Sequence, residues 1–331
     1  MRKEQALTGV FLDRDSMDRG DLDFTGWRST LAHWEFHDAT TADEVAARIA
    51  SADVVVANKV PLRAAALEQA ANLRLIVVAA TGTNNVDLDA ARARGITVCN
   101  VRGYATPSLV QHVFSVLLAL VTHLPQYAEA VRVGQWQRSK QFCLLDFSVH
   151  ELAGRTLGIV GYGELGQAVA HMAECFGMKV LLAQRPGGPE RPGRLPLDEL
   201  LPRVDVLSLH CPLTPATRDL IGARELALLP KHAILINTAR GGVVDEQALA
   251  DALRVGQLGG AGVDVLTQEP PVDGNPLLAD DIPNLIVTPH VAWASQESRQ
   301  RLADEVARDV RAFLAGHPRN VVVVADPTRD E

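Results

Sequence analysis

Short apolar runs alternate along the chain with longer stretches in which apolar residues recur every three or four positions. In the first hundred residues the runs at 6–12, 53–57, 75–79 and 96–99 read as buried strands, and 42–51, 63–71 and 87–93 read as helices. Strands alternating with helices in this way predict a parallel sheet covered on its faces. A long apolar helix follows over 104–124, and residues 126–151 then mix aromatic and charged side chains without a clear period. A stretch of that length with no strand pattern suits an interface or an active-site arm. Beyond it, strands are predicted at 157–160, 180–183, 204–210, 233–237, 259–265 and 285–288, with a helix at 247–254. The last helix, 297–314, carries Leu302, Val306, Val310 and Phe313 on one stripe. It is expected to pack back on the first domain and make that domain discontinuous.

The unit from 156 to 185 organises the rest. Its first strand stops at Gly161-Tyr162-Gly163-Glu164-Leu165-Gly166, and a helix follows with Leu165, Val169, Met172, Ala173 and Phe176 on one face. Gly161 permits the tight turn, Gly163 lets the backbone approach a pyrophosphate, and Gly166 lets helix and strand pack closely. The free N–H groups of the helix N-terminus then favour the anion. Strand, glycine turn, helix and strand in this order predict dinucleotide binding. The plainer alternative is a glycine turn in an α/β protein that binds nothing.

Composition narrows the class. The 331 residues favour two domains, and 47% hydrophobic with 22% charged residues fit a globular protein. A formal charge of −8 argues against a nucleic-acid surface, which needs a basic stripe. No apolar segment suits a signal peptide or a membrane span, so no membrane partner and a cytoplasmic location are expected. Cys99, Cys143, Cys175 and Cys211 lie far apart, without metal-ligand spacing. They read as reduced thiols, Cys175 on the apolar side of its helix, and no metal site is expected.

The polar residues of interest follow predicted strands. Arg240, Glu269 and His290 make a sensible hydride-transfer site. An arginine fork can hold a keto acid's carboxylate and polarise its carbonyl. A histidine supplies or takes the proton, and a neighbouring carboxylate stabilises its imidazolium. In the first domain, Gly82-Thr83 follow a strand and offer N–H groups to a small carboxylate, while Lys59 can supply a cation. Each residue has a bland reading: a hydrogen-bonding histidine, a capping arginine, a loop glutamate, a solvated lysine, an ordinary turn.

With these residues in view, the chain resembles the D-isomer-specific 2-hydroxyacid dehydrogenases along nearly its whole length. The carrying segments are the 161–166 turn, Asn237-Thr238-Ala239-Arg240-Gly241, Gly262-Val263-Asp264-Val265 through Glu269-Pro270, and Thr288-Pro289-His290. Asn58-Lys59-Val60, Trp136-Gln137-Arg138-Ser139 and His290 to Ser295 are similar to the glycerate dehydrogenase, or hydroxypyruvate reductase, branch. The resemblance implies two doubly wound parallel-sheet α/β domains. A flavodoxin-like substrate domain would comprise 1–102 and 293–331, and a Rossmann cofactor domain 103–292, through which a homodimer forms. It implies that Arg240 binds substrate, that His290 is the acid/base and that Glu269 pairs with it. Gly82 and Thr83 would lie at the substrate carboxylate, with Cys211, Pro212, Thr217, Thr238, Ala239 and Asp264 along the cofactor. The activity implied is exchange of hydride between NAD(P)H and a small 2-keto acid, hydroxypyruvate or glyoxylate. Another keto acid, a related oxidation such as that of formate or phosphite, and a cofactor-sensing regulator on the same fold remain open.

One position departs from the NAD-preferring pattern. Where an acid would bind the ribose hydroxyls, this chain has Gln184 followed by Arg185. A neutral Gln does not repel a 2′-phosphate and Arg185 can bond it, so the expected cofactor is NADP or NAD, leaning to NADP.

Overall fold

The structure is a computed structural model, and it describes residues 7–323. The chain forms two compact units, one running to Ala105 and resuming at Ala294, the other spanning Thr106–Trp293. The first unit opens with β1 (Thr8–Phe11), α1 (Thr25–Arg28), β2 (His33–Phe36), α2 (Val45–Ile49), β3 (Val54–Ala57), α3 (Ala64–Gln69), β4 (Leu75–Val78), α4 (Leu88–Ala93) and β5 (Thr97–Asn100). β3, β4 and β5 are buried at every position, which is why their sequences read as continuous apolar runs.

The second unit begins with α5 (Thr106–Val121), α6 (Leu124–Arg132) and α7 (Gln135–Arg138). The helix expected over 104–124 ends earlier because His123 adopts a left-handed φ of 51°, and α5 and α6 meet at a 61° bend. No single helix among the described residues is long and apolar enough to cross a membrane. There follow β6 (Thr156–Val160), α8 (Glu164–Cys175), β7 (Lys179–Ala183), β8 (Arg194–Leu195), α9 (Leu197–Leu200), β9 (Val206–Leu209), α10 (Ala223–Leu228), β10 (Ile234–Asn237), α11 (Glu246–Arg254), β11 (Gly260–Val263) and β12 (Leu285–Val287). All seven strands are parallel, in the order β12-β11-β10-β9-β6-β7-β8. Counted from β6 this is the Rossmann order, with its switch point between β6 and β9.

The inward face of α8 differs from the expected one. Gly166, Val169, Ala170 and Ala173 are buried, whereas Met172, Cys175 and Phe176 are exposed. Small residues let the helix close on β6, and the larger side chains turn outward. Phe176 then stacks on Phe114 of α5, ring centroids 5.1 Å apart.

The chain returns to the first unit with α12 (Gln296–Leu314) and β13 (Val321–Val323). Trp27 of α1 donates its indole N–H to the Ala303 carbonyl at 2.6 Å, which fixes α12 on that unit. The sheet order is β13-β5-β4-β3-β1-β2, flavodoxin-like in its five parallel strands, with β13 added antiparallel to β5. β2 was not apparent in the sequence because only alternate residues, Trp34 and Phe36, turn inward. Of the first predicted strand, Ala6 lies outside the described residues.

Candidate active site

In the second unit the polar residues singled out above stand just beyond strand ends, at the carboxyl edge of one sheet. Gly161 follows β6, Gln184 follows β7, and Cys211 lies two residues past β9; Thr238 to Arg240 follow β10, Asp264 follows β11, and His290 lies three past β12. A doubly wound sheet presents its ligand there.

The glycine turn is sterically obligatory. Gly161 has φ 95°, and a Cβ there would lie 2.6 Å from the His210 carbonyl carbon and oxygen. A Cβ on Gly166 would lie 2.1 Å from the Gly161 oxygen, so α8 starts against the turn itself. Gly163 has open space around it and caps α8 without a side-chain hydrogen bond, leaving the helix N–H groups for a ligand. Glu164 faces Thr106, whose hydroxyl donates to it at 2.6 Å, while Leu165 packs partly into the core. Cys211 is buried, which pushes its thiol up to about 11. The Thr217 hydroxyl is committed locally: it donates to the Pro212 carbonyl at 2.7 Å and accepts from the Thr214 N–H at 2.7 Å. Thr238 is buried with an unpartnered hydroxyl, and the Ala239 N–H bonds Asn237 Oδ1 at 3.1 Å. An open glycine cradle, an uncapped helix N-terminus and an orphaned hydroxyl on the same edge fit a nicotinamide dinucleotide, whose nicotinamide supplies or accepts hydride when bound.

Glu269 and His290 meet directly. Glu269 Oε1 accepts from the Leu266 N–H at 2.8 Å, and Oε2 contacts His290 Nδ1 at 2.7 Å. One carboxylate thus closes its own turn and orients the imidazole, leaving Nε2 as the other ring nitrogen. The Arg240 turn packs against the same loop, since a Cβ on Gly241 would lie 2.0 Å from the Leu266 oxygen. Asn237 Nδ2 donates to the Arg240 carbonyl at 3.1 Å and fixes that turn. Arg240 itself is half-buried and donates to the Ala239 carbonyl at 2.7 Å.

In the first unit the strand-end groups are equally well held. Asp13 accepts from the N–H groups of Asn58, Lys59 and Val60 at 2.8, 2.6 and 3.2 Å. Burial pushes its carboxyl above the usual range even against those bonds. Nothing in the local sequence marked Asp13, because its partners are some 45 positions away. The Lys59 side chain is exposed. Asn100 Nδ2 donates to the Thr81 carbonyl at 2.6 Å, holding the loop that contains Gly82 and Thr83, both half-buried. Among the described residues no group of three or more His, Cys, Asp or Glu side chains is arranged to hold a metal.

At the end of β7, Gln184 turns its amide to the chain: Nε2 donates to the Arg191 carbonyl at 3.2 Å and Oε1 accepts from the Arg191 N–H at 3.3 Å. Arg185 is exposed, and Arg194 on β8 places its guanidinium 5.7 Å from the Tyr162 ring centre, over the glycine turn. Arg194 was not singled out in the sequence, since only the β7–β8 pairing brings it there.

A Rossmann sheet bearing a paired histidine and glutamate and a strand-end arginine at its carboxyl edge defines an NAD-binding oxidoreductase. The profile of the D-isomer specific 2-hydroxyacid dehydrogenase NAD-binding domain matches residues 114–292. The chain is 49% identical to the glycerate dehydrogenase of Methylorubrum extorquens over 313 residues, 95% of this chain and 98% of that one. It is 38% identical over 320 residues to the hydroxypyruvate reductase of Blautia hydrogenotrophica, again 95% and 98% of the two chains. The NADPH-dependent glyoxylate/hydroxypyruvate reductase of Sinorhizobium meliloti, solved with NADP and malonate, superposes with a TM-score of 0.80 at 28% identity, covering 96% of this chain and 97% of that one. The chain belongs to the D-isomer-specific 2-hydroxyacid dehydrogenase family, and its two α/β units are the fold of that family.

Proposed function

We propose that the protein reduces hydroxypyruvate or glyoxylate to D-glycerate or glycolate, and catalyses the reverse oxidation. The observation that carries this is the 2.7 Å contact between His290 Nδ1 and Glu269 Oε2, on the same edge as the glycine turn. Likeness to glycerate dehydrogenase and hydroxypyruvate reductase supports the choice of substrate. In this reading Arg240 holds the keto acid and polarises its carbonyl. His290 delivers the proton to the carbonyl oxygen from Nε2, and Glu269 stabilises the imidazolium and fixes the ring. Gly82 and Thr83 bind the carboxylate, and Lys59 adds positive charge. Gly161, Gly163, Glu164, Leu165 and Gly166 line the pyrophosphate, with Cys211, Pro212, Thr217, Thr238, Ala239 and Asp264 along the rest of the cofactor. The unit spanning 106–293 thus serves the cofactor and the other unit the substrate.

The test follows absorbance of the purified protein mixed with NADPH and hydroxypyruvate. Turnover is expected, and His290→Gln should lower kcat by about 10²–10⁴ while cofactor affinity survives. Near-normal turnover in that variant overturns the assignment.

The cofactor reading leans to NADP(H). The end of β7 carries no acid, and three arginines, Arg185, Arg191 and Arg194, lie on or beside it. Comparison of kcat/KM for NADPH and NADH checks this, and a tenfold or greater preference for NADH sinks it. A cytoplasmic homodimer completes the proposal. All four cysteines are free, which suits a reducing compartment.

A further inference from the structure

We propose that Thr288 and His112 are positioning residues for the acid/base, acting through the carboxylate of Asp264; this rests on the role given to His290 above. His290 sits at φ 55°, in the left-handed region that side-chain-bearing residues rarely adopt. Such a conformation persists only where neighbours over-determine it.

Asp264 supplies that determination. It is buried, and its backbone carbonyl accepts the His290 N–H at 2.8 Å. Its Oδ1 accepts from the Val291 N–H at 2.9 Å and its Oδ2 from the Ala292 N–H at 2.9 Å. One buried carboxylate therefore fixes the turn on the far side of His290, while Trp293 donates its indole N–H to the His290 carbonyl at 3.0 Å.

The carboxylate must itself be aimed, and this falls to Thr288, whose hydroxyl donates to Oδ1 at 2.5 Å. Because that proton is committed, the Thr288 oxygen can take part in its 3.1 Å contact with His112 Nε2 only as acceptor. The bond order is then His112 Nε2–H to Thr288 Oγ1, and Thr288 O–H to Asp264. His112 lies on α5, so the helix that packs across β10, β11 and β12 reaches the Asp264 carboxylate both through the Thr288 hydroxyl and by a 3.6 Å approach of His112 Nε2 to Asp264 Oδ1. The Asp264 carboxylate accepts three hydrogen bonds in all, two of them on Oδ1.

The experiment compares Thr288→Val, which keeps the shape and removes the hydroxyl, with Thr288→Ser, which keeps the hydroxyl. A parallel pair is His112→Leu and His112→Gln, the latter retaining an N–H donor of similar reach. kcat, KM for keto acid and melting temperature are measured for each, with His290→Gln alongside. Thr288→Val and His112→Leu should lower kcat about tenfold, with keto-acid KM shifting less than kcat, and Ser and Gln should restore most of it. Wild-type kcat in Thr288→Val overturns the proposal. So does a lower melting temperature with kcat per folded enzyme unchanged, or a loss that Ser and Gln do not repair. If His290→Gln itself turns over normally, the reading of His290 fails instead.

Discussion

Asp309 is a charge placed where the fold disfavours it. It lies on α12, fully buried, and Asn320 Nδ2 donates to its two oxygens at 3.1 and 3.3 Å. Burial pushes the carboxyl up to about 6, from an ordinary value of 3.8, with the Asn320 bond only partly offsetting it. Between those values the folded state holds a proton that the unfolded state releases. This contribution to stability is full below about pH 4 and is lost as pH rises through 6. Asp309→Asn should therefore raise stability at pH 8 by about 1–3 kcal/mol, and the gain should shrink as pH falls toward 4. His210 acts in the opposite sense: burial pushes its imidazole from 6.5 down to about 4, so its contribution is present above pH 6.5 and lost as pH falls through 4. Comparing variant with wild type at each pH cancels that background. Thermal melts at pH 8, 6 and 4.5 showing a constant difference would refute the assignment.

Elements were legible wherever burial wrote itself into consecutive residues. β3 and β4 read as strands because both faces are covered, and the glycine turn was legible because its flanking strand and helix follow one another in the chain, although the contact that requires Gly161 comes from His210, far off in sequence. Arg240, Glu269 and His290 could be singled out because strand ends in an α/β alternation share an edge, and the structure brings Glu269 and His290 into contact. β2, β8 and β13 escaped notice: β2 and β8 are short edge strands without the apolar run that double burial imposes, and β13, though a run of valines, is a short antiparallel strand outside the strand–helix alternation. The outward turn of Met172 and Phe176 escaped as well, since a helical stripe does not say which of two apolar flanks a neighbouring helix covers. Hidden most completely were residues whose partners are distant in sequence. Asp13 reaches Asn58, His112 reaches Thr288, and Arg194 meets Tyr162, pairs that tertiary structure alone creates.

On the scale of the whole molecule, the arm between α5 and β6 raises the question of what covers it. Phe142 is 90% exposed and Leu145 86%, with Leu124, Trp136 and Val149 exposed on the same segment. Several large apolar side chains left exposed on one segment suit an interaction site. The arm is nevertheless ordered by its own bonds: Tyr127 donates its hydroxyl to the Phe147 carbonyl at 2.7 Å, and Trp136 Nε1 donates to the Phe142 carbonyl at 2.9 Å. A pre-formed apolar surface loses little entropy on association, and burying it yields about 25 cal/mol per Å². A second copy of this chain is the occupant proposed, as the family resemblance implies. Light scattering on the wild type at micromolar concentration should then give twice 35.6 kDa. Phe142→Asp combined with Leu145→Asp should shift the mass toward a single chain, because two carboxylates desolvated at an apolar contact cost more than its burial returns. A wild-type mass of one chain across that range would rule out the dimer. A double variant that stays fully dimeric would instead place the interface away from the arm.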